Sequence, residues 1–360
     1  MRLENLQLFF LLLVSAALAF GQGPKIGFIE VFGGQKATTD KLIAALNVKV
    51  GDPLPKSKTD LEEHILNTSD VVRVEVTAVC CEQAKAILYI GIQEKGMEGF
   101  VLRDDPSGNA ELPAAIVEAF AGFTEAMSDV RGADAVQDVA QGHGLVKSPK
   151  ARAFQLNFVK LAGANQPRIE EVLKGSVSPE QRAIAAYVLG YSPNKKQIVN
   201  SLELALRDSD ESVRNNALHS LAAIAAFAVK NPAAGIAIEP VRLIEMLRST
   251  SFSDRNKAAT TLVSMSERRD AKVLDPIREK AVGEITEMAR WKSLEYALPA
   301  YILLGRAAGI EEKRLRDAWA AGNREAIITE ATEALKSKKK LFTGVPWPLG
   351  VQSAQQDRQK

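Results

Sequence analysis

The sequence of 360 residues predicts a multidomain protein in which a small α+β domain precedes an all-α solenoid. In residues 25–95, segments rich in β-branched residues flank two amphipathic segments, a pattern that favours a small sheet with helices. Beyond residue 145, pairs of amphipathic helices recur at intervals of about 30 to 45 residues, which is typical of solenoids. Because one helix pair cannot bury its apolar face alone, stacked pairs are expected to form the core.

Residues 1–21 are typical of a secretory signal segment. An apolar run extends from Leu8 to Phe20, and it is shorter than the roughly 20 residues that span a bilayer. A short run that ends in small residues is typical of a cleaved signal. Glu4 offsets Arg2 before the run, so a retained anchor is the alternative. We therefore expect an exported protein, in the periplasm or associated with the cell envelope.

The α+β domain is predicted to contain, in order, a strand, two helices and two strands. "KIGFIEVFGG" reads as a strand, and "TTDKLIAALN" and "SKTDLEEHILN" carry leucine and isoleucine at helical spacing. The strands "VVRVEVTAV" and "KAILYIGIQEK" follow, with a short turn between them. In the first of these strands the apolar face is Val72, Val74, Val76 and Ala78, and the polar face is Arg73, Glu75 and Thr77. We expect a hairpin with one buried face and one face in water.

Four segments of this domain carry a family resemblance. They are "IEVFGG" at 29–34, "LNVKVG" at 46–51, "VVRVEV" at 71–76 and "IGIQEK" at 90–95. In this order they resemble a POTRA domain, a module found before outer-membrane barrels and in some division proteins. The resemblance implies that the strand over 70–79 is an exposed edge, to which an extended peptide can add as a further strand. The edge residues expected to bind such a partner are Val72, Arg73, Val74, Glu75, Val76 and Thr77.

Residues 96–145 are predicted to form a linker and connecting helices. The stretch "GMEGFVLRDDPSGNAE" has the glycine, proline, aspartate and asparagine content of an exposed loop. From Leu112 onward the apolar residues return at helical spacing, for example at Ile116 and Phe120. A domain boundary is therefore expected near 96–110.

The repeats share an arginine, an alanine three residues later and a leucine seven residues later. The best copies begin at Arg182, Arg214 and Arg255, which are 32 and 41 residues apart. "DSDESVRNNALHSL" at 208–221 resembles a HEAT repeat, and the resemblance extends over residues 146–336. It implies a curved α-solenoid whose inner face binds proteins.

The HEAT resemblance also implies a ladder in which an aspartate of one turn pairs with an arginine of the next helix. We expect Asp210 to pair with Arg214, and likewise Asp254 with Arg255. The residues given this structural, non-catalytic role are Arg182, Asp210, Arg214, Asp254 and Arg255. The residues expected to set partner specificity on the inner face are Lys196, Asn200, Glu203, Arg207, Arg242 and Glu245.

Charge and motif content exclude several classes of function. The formal net charge is +2, so the folded part lacks the large basic face that nucleic-acid binding requires. The basic, proline-containing tail at 337–360 offers at most a weak contact with a membrane surface. Three scattered histidines, His64, His143 and His219, do not have metal-ligand spacing. Trp347 in the tail is expected either to cap the solenoid or to bind a partner.

These observations predict a non-enzymatic protein-binding scaffold with no cofactor and no metal. The expected partner is a protein or an extended peptide, held at the edge strand and on the solenoid inner face. Two alternatives remain at this point. One is a HEAT-like lyase that acts on a chromophore, and the other is an anchored envelope or division docking protein.

The two cysteines, Cys80 and Cys81, are adjacent and lie at the predicted hairpin tip. Strand alternation predicts that Cys80 points inward and Cys81 outward. A bond between them is disfavoured, because Cα atoms across a trans peptide are about 3.8 Å apart and disulfides prefer about 4.4 to 6.8 Å. A vicinal disulfide in a distorted turn is the alternative.

Overall fold

The computed structural model describes residues 24–68, 70–82 and 85–343, with the backbone alone at 36, 37, 68 and 337–343. The predicted signal at 1–21 lies outside the described residues, and so does Trp347. Among the residues described, no helix is both long enough and apolar enough to cross a bilayer.

The first part of the chain forms the predicted order of strands and helices. These elements are β1 (Ile26–Phe32), α1 (Lys36–Ala45), α2 (Lys58–Thr68), β2 (Val71–Glu82) and β3 (Lys85–Glu94). The three strands form one sheet in the order β1-β3-β2, with β1 parallel and β2 antiparallel to β3. A parallel pair requires a long crossover, and the chain between β1 and β3 supplies it. The central position of β3 leaves β1 and β2 at the two edges.

One face of the sheet packs on the two helices of the α+β part. Leu42 of α1 and Ile65 of α2 are buried there against Val76 of β2 and Ile90 of β3. Alternate residues of a strand point to the same side, so the apolar sets predicted for β2 and β3 supply this core. Two members of the predicted β2 set are exceptions. Val72 is 56% exposed, because the pairing of β2 with β3 shifts between Val71 and Arg73, and Ala78 is also exposed.

The other face of the sheet was predicted to lie in water, and this prediction is wrong. Phe32, Ile87 and Tyr89 point to that side, and they belong to the same buried cluster as the solenoid helices. Tyr89 stacks on Phe252 with 4.0 Å between the ring centroids. Of the polar residues of β2 on this face, Glu75 therefore lies between the sheet and the solenoid, Thr77 is half-buried and Arg73 is exposed. The reason is that β3 is apolar on both of its faces, as in sheets covered on both sides.

The remainder of the described chain is mainly helical and forms a repeat solenoid. Its elements are α3 (Ala114–Met127), β4 (Gln137–Asp138), β5 (Leu145–Val146), α4 (Pro149–Gly175), α5 (Pro179–Leu189), α6 (Lys195–Ala205), α7 (Glu211–Lys230), α8 (Pro240–Met246), α9 (Phe252–Met265), α10 (Ala271–Lys280), α11 (Val282–Ala289), α12 (Leu294–Ala308), α13 (Glu312–Ala320) and α14 (Arg324–Thr343). Helices α5, α7, α9 and α12 pack in sequence as one layer, while α4 with α6 and α8 with α10 pack in a second layer. Helix α4 bends at Asn165, two residues before Pro167, because proline disrupts helical hydrogen bonding.

Residues 99–112, which we call the strap, lie along the turns between repeats. Phe100 and Leu112 are buried, and the backbone N–H of Arg103 donates to the carbonyl of Arg207 at 2.6 Å. At Gly108 the strap comes so close to the Gly175 carbonyl that a Cβ atom would meet it at 2.6 Å. The expectation of an exposed linker is therefore corrected, since this segment packs on the solenoid.

Candidate functional site

Strand β2 is an edge of the sheet, and every second residue turns its backbone polar groups away from β3. The N–H of Val76 donates to Oε1 of Glu62 at 2.7 Å rather than to its cross-strand neighbour Ile90. In an antiparallel ladder this makes Val76 a non-hydrogen-bonded position, and Val74, two residues earlier in the same register, is another. The outer edge of β2 therefore presents backbone donors and acceptors at Val74 and Val76.

Helix α2 covers part of this edge. Glu62 of α2 occupies the Val76 N–H, and Lys58 of the same helix pairs with Glu62 at 3.6 Å. Unpaired strand edges invite pairing with other chains, and the Glu62 carboxylate blocks that pairing at one position. Val74 lies two residues before Val76, whose N–H is occupied by Glu62.

Val74 borders a cavity of about 260 Å³ between β2, α2 and the solenoid. The cavity is lined by Lys58, Arg73, Val74, Glu75, Phe100, Leu102, Ser209, Glu211, Arg214, Ser249 and Thr250. Small-molecule sites usually measure about 300 to 1,000 Å³, so this cavity lies just below that range.

Glu75 is the most unusual residue of this cavity. Its Oε1 atom is buried and has no hydrogen-bond partner among the described residues, while Oε2 accepts from the Thr250 hydroxyl at 3.5 Å. Burial raises the pKa of Glu75 to about 7, and the neighbouring carboxylates of Glu211 and Asp254 add to the rise. The alternation of β2 predicted that Glu75 lies on a face in water, but solenoid residues cover Glu75 on that face.

A ladder of buried ion pairs connects successive repeats on the same side of the solenoid. Arg182 donates to Asp208 at 2.8 and 2.9 Å, Arg214 to Asp254 at 2.9 Å, and Arg255 to Glu287 at 2.8 Å. In each pair the arginine reaches the acid that lies 26 to 40 residues later in the chain. The ladder therefore crosses from one repeat to the next.

Both predicted ladder pairs differ from those that the structure contains. Asp210 caps α7 by accepting from the backbone N–H of Val213 at 3.1 Å, so it does not pair with Arg214. Asp254 pairs with Arg214 instead of its neighbour Arg255. Asp208 was missed, although it is the first acid of the "DSD" turn. An aspartate directly before a helix is a preferred N-cap. The position of Asp210 therefore indicates a helix cap, and it leaves Asp208 as the ion-pair partner.

The predicted inner-face residues divide into two groups. Lys196, Asn200 and Arg242 are exposed on α6 and α8. Arg207 and Glu245 pair with each other at 2.5 Å. Glu203 is also engaged, since its carboxylate accepts from the backbone N–H of Glu239 at 2.7 Å. Three of the six predicted residues, Glu203, Arg207 and Glu245, thus form contacts between neighbouring repeats.

A buried lysine–histidine pair was not found from the sequence. Lys195 donates to the Gly190 carbonyl at 2.5 Å, and its Nζ lies 3.2 Å from Nδ1 of His143. Burial lowers the pKa of Lys195 to about 7. Burial and the nearby lysine lower the pKa of His143 to about 4. In the part of the chain that the structure describes, no group of three or more His, Cys, Asp or Glu residues is arranged to hold a metal ion.

The cysteines form a disulfide with each other, which corrects the prediction that they would not. The peptide between them is cis, and both residues are exposed. The predicted inward orientation of Cys80 is also wrong. Pairing of β2 with β3 is irregular between Val79 and Glu82, so strand alternation does not extend to the hairpin tip.

Comparison with known proteins gives a likeness to solved structures alone. No protein-family model matches the chain, and no curated protein matches it. An engineered protein solved by a structural genomics consortium has a TM-score of 0.35 and 17% identity, and the match covers 62% of this chain and 98% of that one. A designed armadillo repeat protein has a TM-score of 0.34 and 18% identity, covering 55% of this chain and 98% of its own.

Proposed function

We propose that this chain is a non-enzymatic scaffold that captures an extended peptide at the outer edge of β2. The observation that carries the proposal is that this edge borders, at Val74, a cavity between α2 and the solenoid. A peptide that adds to a strand edge gains main-chain hydrogen bonds, and a pocket beside the edge selects one of its side chains. The β2 edge combines both features.

Three further observations support parts of the same proposal. The β-α-α-β-β order of the first part supports a POTRA-like module. The paired helices with an ion-pair ladder support HEAT-like repeats. The exposed Cys80–Cys81 disulfide supports an oxidising location. The periplasm or the cell envelope is such a location, and export through residues 1–21 would deliver the chain there.

The solenoid supplies a second surface for the same partner or for another protein. Lys196 and Asn200 of α6 and Arg242 of α8 are exposed in successive repeats. Solenoid repeats use such positions to build an extended binding surface. We assign these three residues to the protein contact, and the paired Arg207 and Glu245 to the cohesion of the repeats.

Edge capture is tested by the substitution Val74→Pro in the full chain. Proline removes the outward N–H and leaves the hydrogen bonds to β3, which is why edge strands tolerate it. We expect binding of a fluorescein-labelled pool of randomised decapeptides, measured by fluorescence anisotropy, to weaken about tenfold or more. Val74→Thr keeps the shape and the N–H, so it is the matched control and should bind like the parent chain. Equal binding by the proline variant would refute edge capture.

Glu62→Ala is a complementary test, because it should strengthen binding. The substitution releases the Val76 N–H for a peptide carbonyl. We expect the same decapeptide pool to bind several-fold more tightly to this variant, with unchanged circular dichroism. Weaker binding would mean that Glu62 belongs to the binding surface instead of blocking it.

A further inference from the structure

The cavity beside Val74 contains a carboxylate, that of Glu75, which forms no close ion pair with another described residue. No cationic group of the described residues lies within ion-pair distance of Glu75, and its Oε1 has no hydrogen-bond partner there. Glu211 lines the same cavity and adds a second carboxylate, whose Oε1 accepts from the Ser251 hydroxyl at 3.0 Å. Oε2 of Glu75 accepts only the long bond from Thr250 and Oε1 accepts none. A buried carboxylate that is incompletely paired is costly, so this position favours a ligand that carries a positive charge.

The three cations that line the cavity are engaged or exposed. Arg214 donates to Asp254 at 2.9 Å and to the carbonyls of Asp208 and Ser209. Lys58 pairs with Glu62 at 3.6 Å. Arg73 is exposed to solvent. None of them forms a close ion pair with Glu75 in the described structure, although the charges of Lys58 and Arg214 partly offset the rise in its pKa.

The walls of the cavity suit the stem of a long basic side chain. Phe100 and Leu102 of the strap and Val74 of β2 supply apolar surface beside the two carboxylates. Lysine and arginine bury their methylene stems along apolar surface and keep the charged head with a polar partner. The apolar wall suits the methylene stem of such a side chain, and Glu75 suits its charged head.

We propose that the cavity is a specificity pocket for a lysine or arginine side chain of the captured peptide, which forms an ion pair with Glu75. This inference rests on the proposed edge capture and adds the chemistry of the peptide to it. A peptide paired at the Val74 edge places one of its side chains over the cavity, so the pocket fixes both the register and the sequence of the bound strand.

The proposal implies that binding of a basic peptide depends on pH. The charged groups that face Glu75 are Lys58 from α2, Glu211 and Arg214 from α7, Asp254 from α9 and Arg73 from its own strand. Burial raises the pKa of the Glu75 carboxyl to about 7. Because the cation binds the ionised carboxylate, its affinity should fall as the pH drops below about 7, where the carboxyl becomes protonated.

Three decapeptides of one alternating Val/Thr frame test the pocket. They differ only in a central Lys, Gln or Glu, and each carries fluorescein for anisotropy with the full chain. We expect the Lys peptide to bind about tenfold more tightly than the Gln peptide at pH 8, and the Glu peptide to bind most weakly. The preference for Lys should diminish at pH 5.5.

Glu75→Gln should abolish the preference, so that the Lys and Gln peptides bind this variant equally and without the pH dependence. Glu211→Gln should reduce the preference partially, which provides a second variant if Glu75→Gln loosens the fold. Glu125→Gln is the matched control, since Glu125 is exposed on α3, and it should retain the full preference.

The outcomes separate this inference from the function on which it rests. If the three peptides bind the parent chain equally, and Val74→Pro weakens all of them, edge capture stands and the basic pocket is refuted. If none of them binds, or if Val74→Pro leaves their binding unchanged, edge capture fails and the pocket fails with it. A Lys preference that persists in Glu75→Gln refutes the role of Glu75.

Discussion

At the residue scale, His219 shows how the solenoid interior controls ionisation. Its ring stacks on Tyr187 with 5.1 Å between the centroids and 19° between the planes. Burial lowers the pKa of His219 to about 3, and the nearby Lys257 contributes to the decrease. The folded chain therefore holds this imidazole neutral. Protonation requires partial loss of the packing around it.

A pH dependence of stability follows from the lowered pKa of His219. A folded pKa below the ordinary value of 6.5 gives stability that is present above pH 6.5 and is lost as the pH falls toward 3. We expect the free energy of unfolding to decrease by about 3 kcal/mol between pH 6.5 and pH 4 from this group. His219→Phe retains an aromatic ring on Tyr187 and should flatten the profile, as measured by urea denaturation. An unchanged acid slope in the variant would refute the assignment.

Residue-scale predictions from the sequence succeed where a side chain packs locally and fail where a distant segment covers it. Ile90 was predicted to be buried, and it packs on α1 and α2. Glu75 was predicted to be in water, but Thr250 and Glu211 cover it, and they lie more than 130 residues later. A strand alternation indicates two faces, but it does not reveal what docks on the polar one. The apolar residues on both sides of β3 were the available signal.

At the element scale, the ladder joins successive repeats through buried ion pairs. Asp254 is fully buried, and Arg214 is its ion-pair partner at 2.9 Å. Removing one partner of a buried pair leaves an uncompensated charge, which costs about 3 to 5 kcal/mol. The ladder is therefore more sensitive to truncation than the ion pairs on the solenoid surface.

Arg214→Ala tests the ladder against a surface pair of the same chemistry. We expect this variant to lose about 3 to 5 kcal/mol of unfolding free energy in urea denaturation. The matched control is Arg290→Ala, whose arginine pairs with the exposed Glu325 at 2.6 Å. Exposed pairs contribute about 0 to 1 kcal/mol, so the control should unfold near the parent midpoint. Equal losses in the two variants would contradict a special role for the buried ladder.

The helices of the repeats were predictable because their sequence pattern is local. The copies at Arg182, Arg214 and Arg255 correspond to α5, α7 and α9. The partners of these arginines were harder to predict, because several acids compete within one turn. Asp210 caps the helix, whereas Asp208 is fully buried and pairs with Arg182.

At the scale of the whole molecule, the sheet and the solenoid share one core. Tyr89 lies between them, stacked on Phe252 and 5.3 Å from the ring of Trp291. Phe32 of β1 adds a cation–π contact with Arg255, whose guanidinium carbon lies 4.7 Å from the ring centre. Gly91 faces the Thr250 carbonyl so closely that a Cβ atom has no room. We therefore expect the two parts to unfold together.

Tyr89→Ala should separate the two parts. The substitution removes the central ring of the shared cluster, and truncation of a buried aromatic costs about 3 to 5 kcal/mol. Scanning calorimetry should record one transition for the parent chain and two for this variant. Tyr89→Phe keeps the ring and removes a buried hydroxyl that has no hydrogen-bond partner in the described structure, so a single transition should remain. One transition in Tyr89→Ala would argue against Tyr89 as the coupling residue.

The docked sheet also has a mechanical consequence for the solenoid. Repeat arrays bend because each repeat contacts only its neighbours, so small rotations accumulate along the stack. Here the sheet touches Thr250 before α9 and Lys292 before α12, while the strap binds the turns near Gly175 and Arg207. These contacts link several turns on one side of the stack. We therefore expect the curvature of the stack to be held fixed, so that a protein bound on the other side, as proposed above, spends little binding energy on bending it.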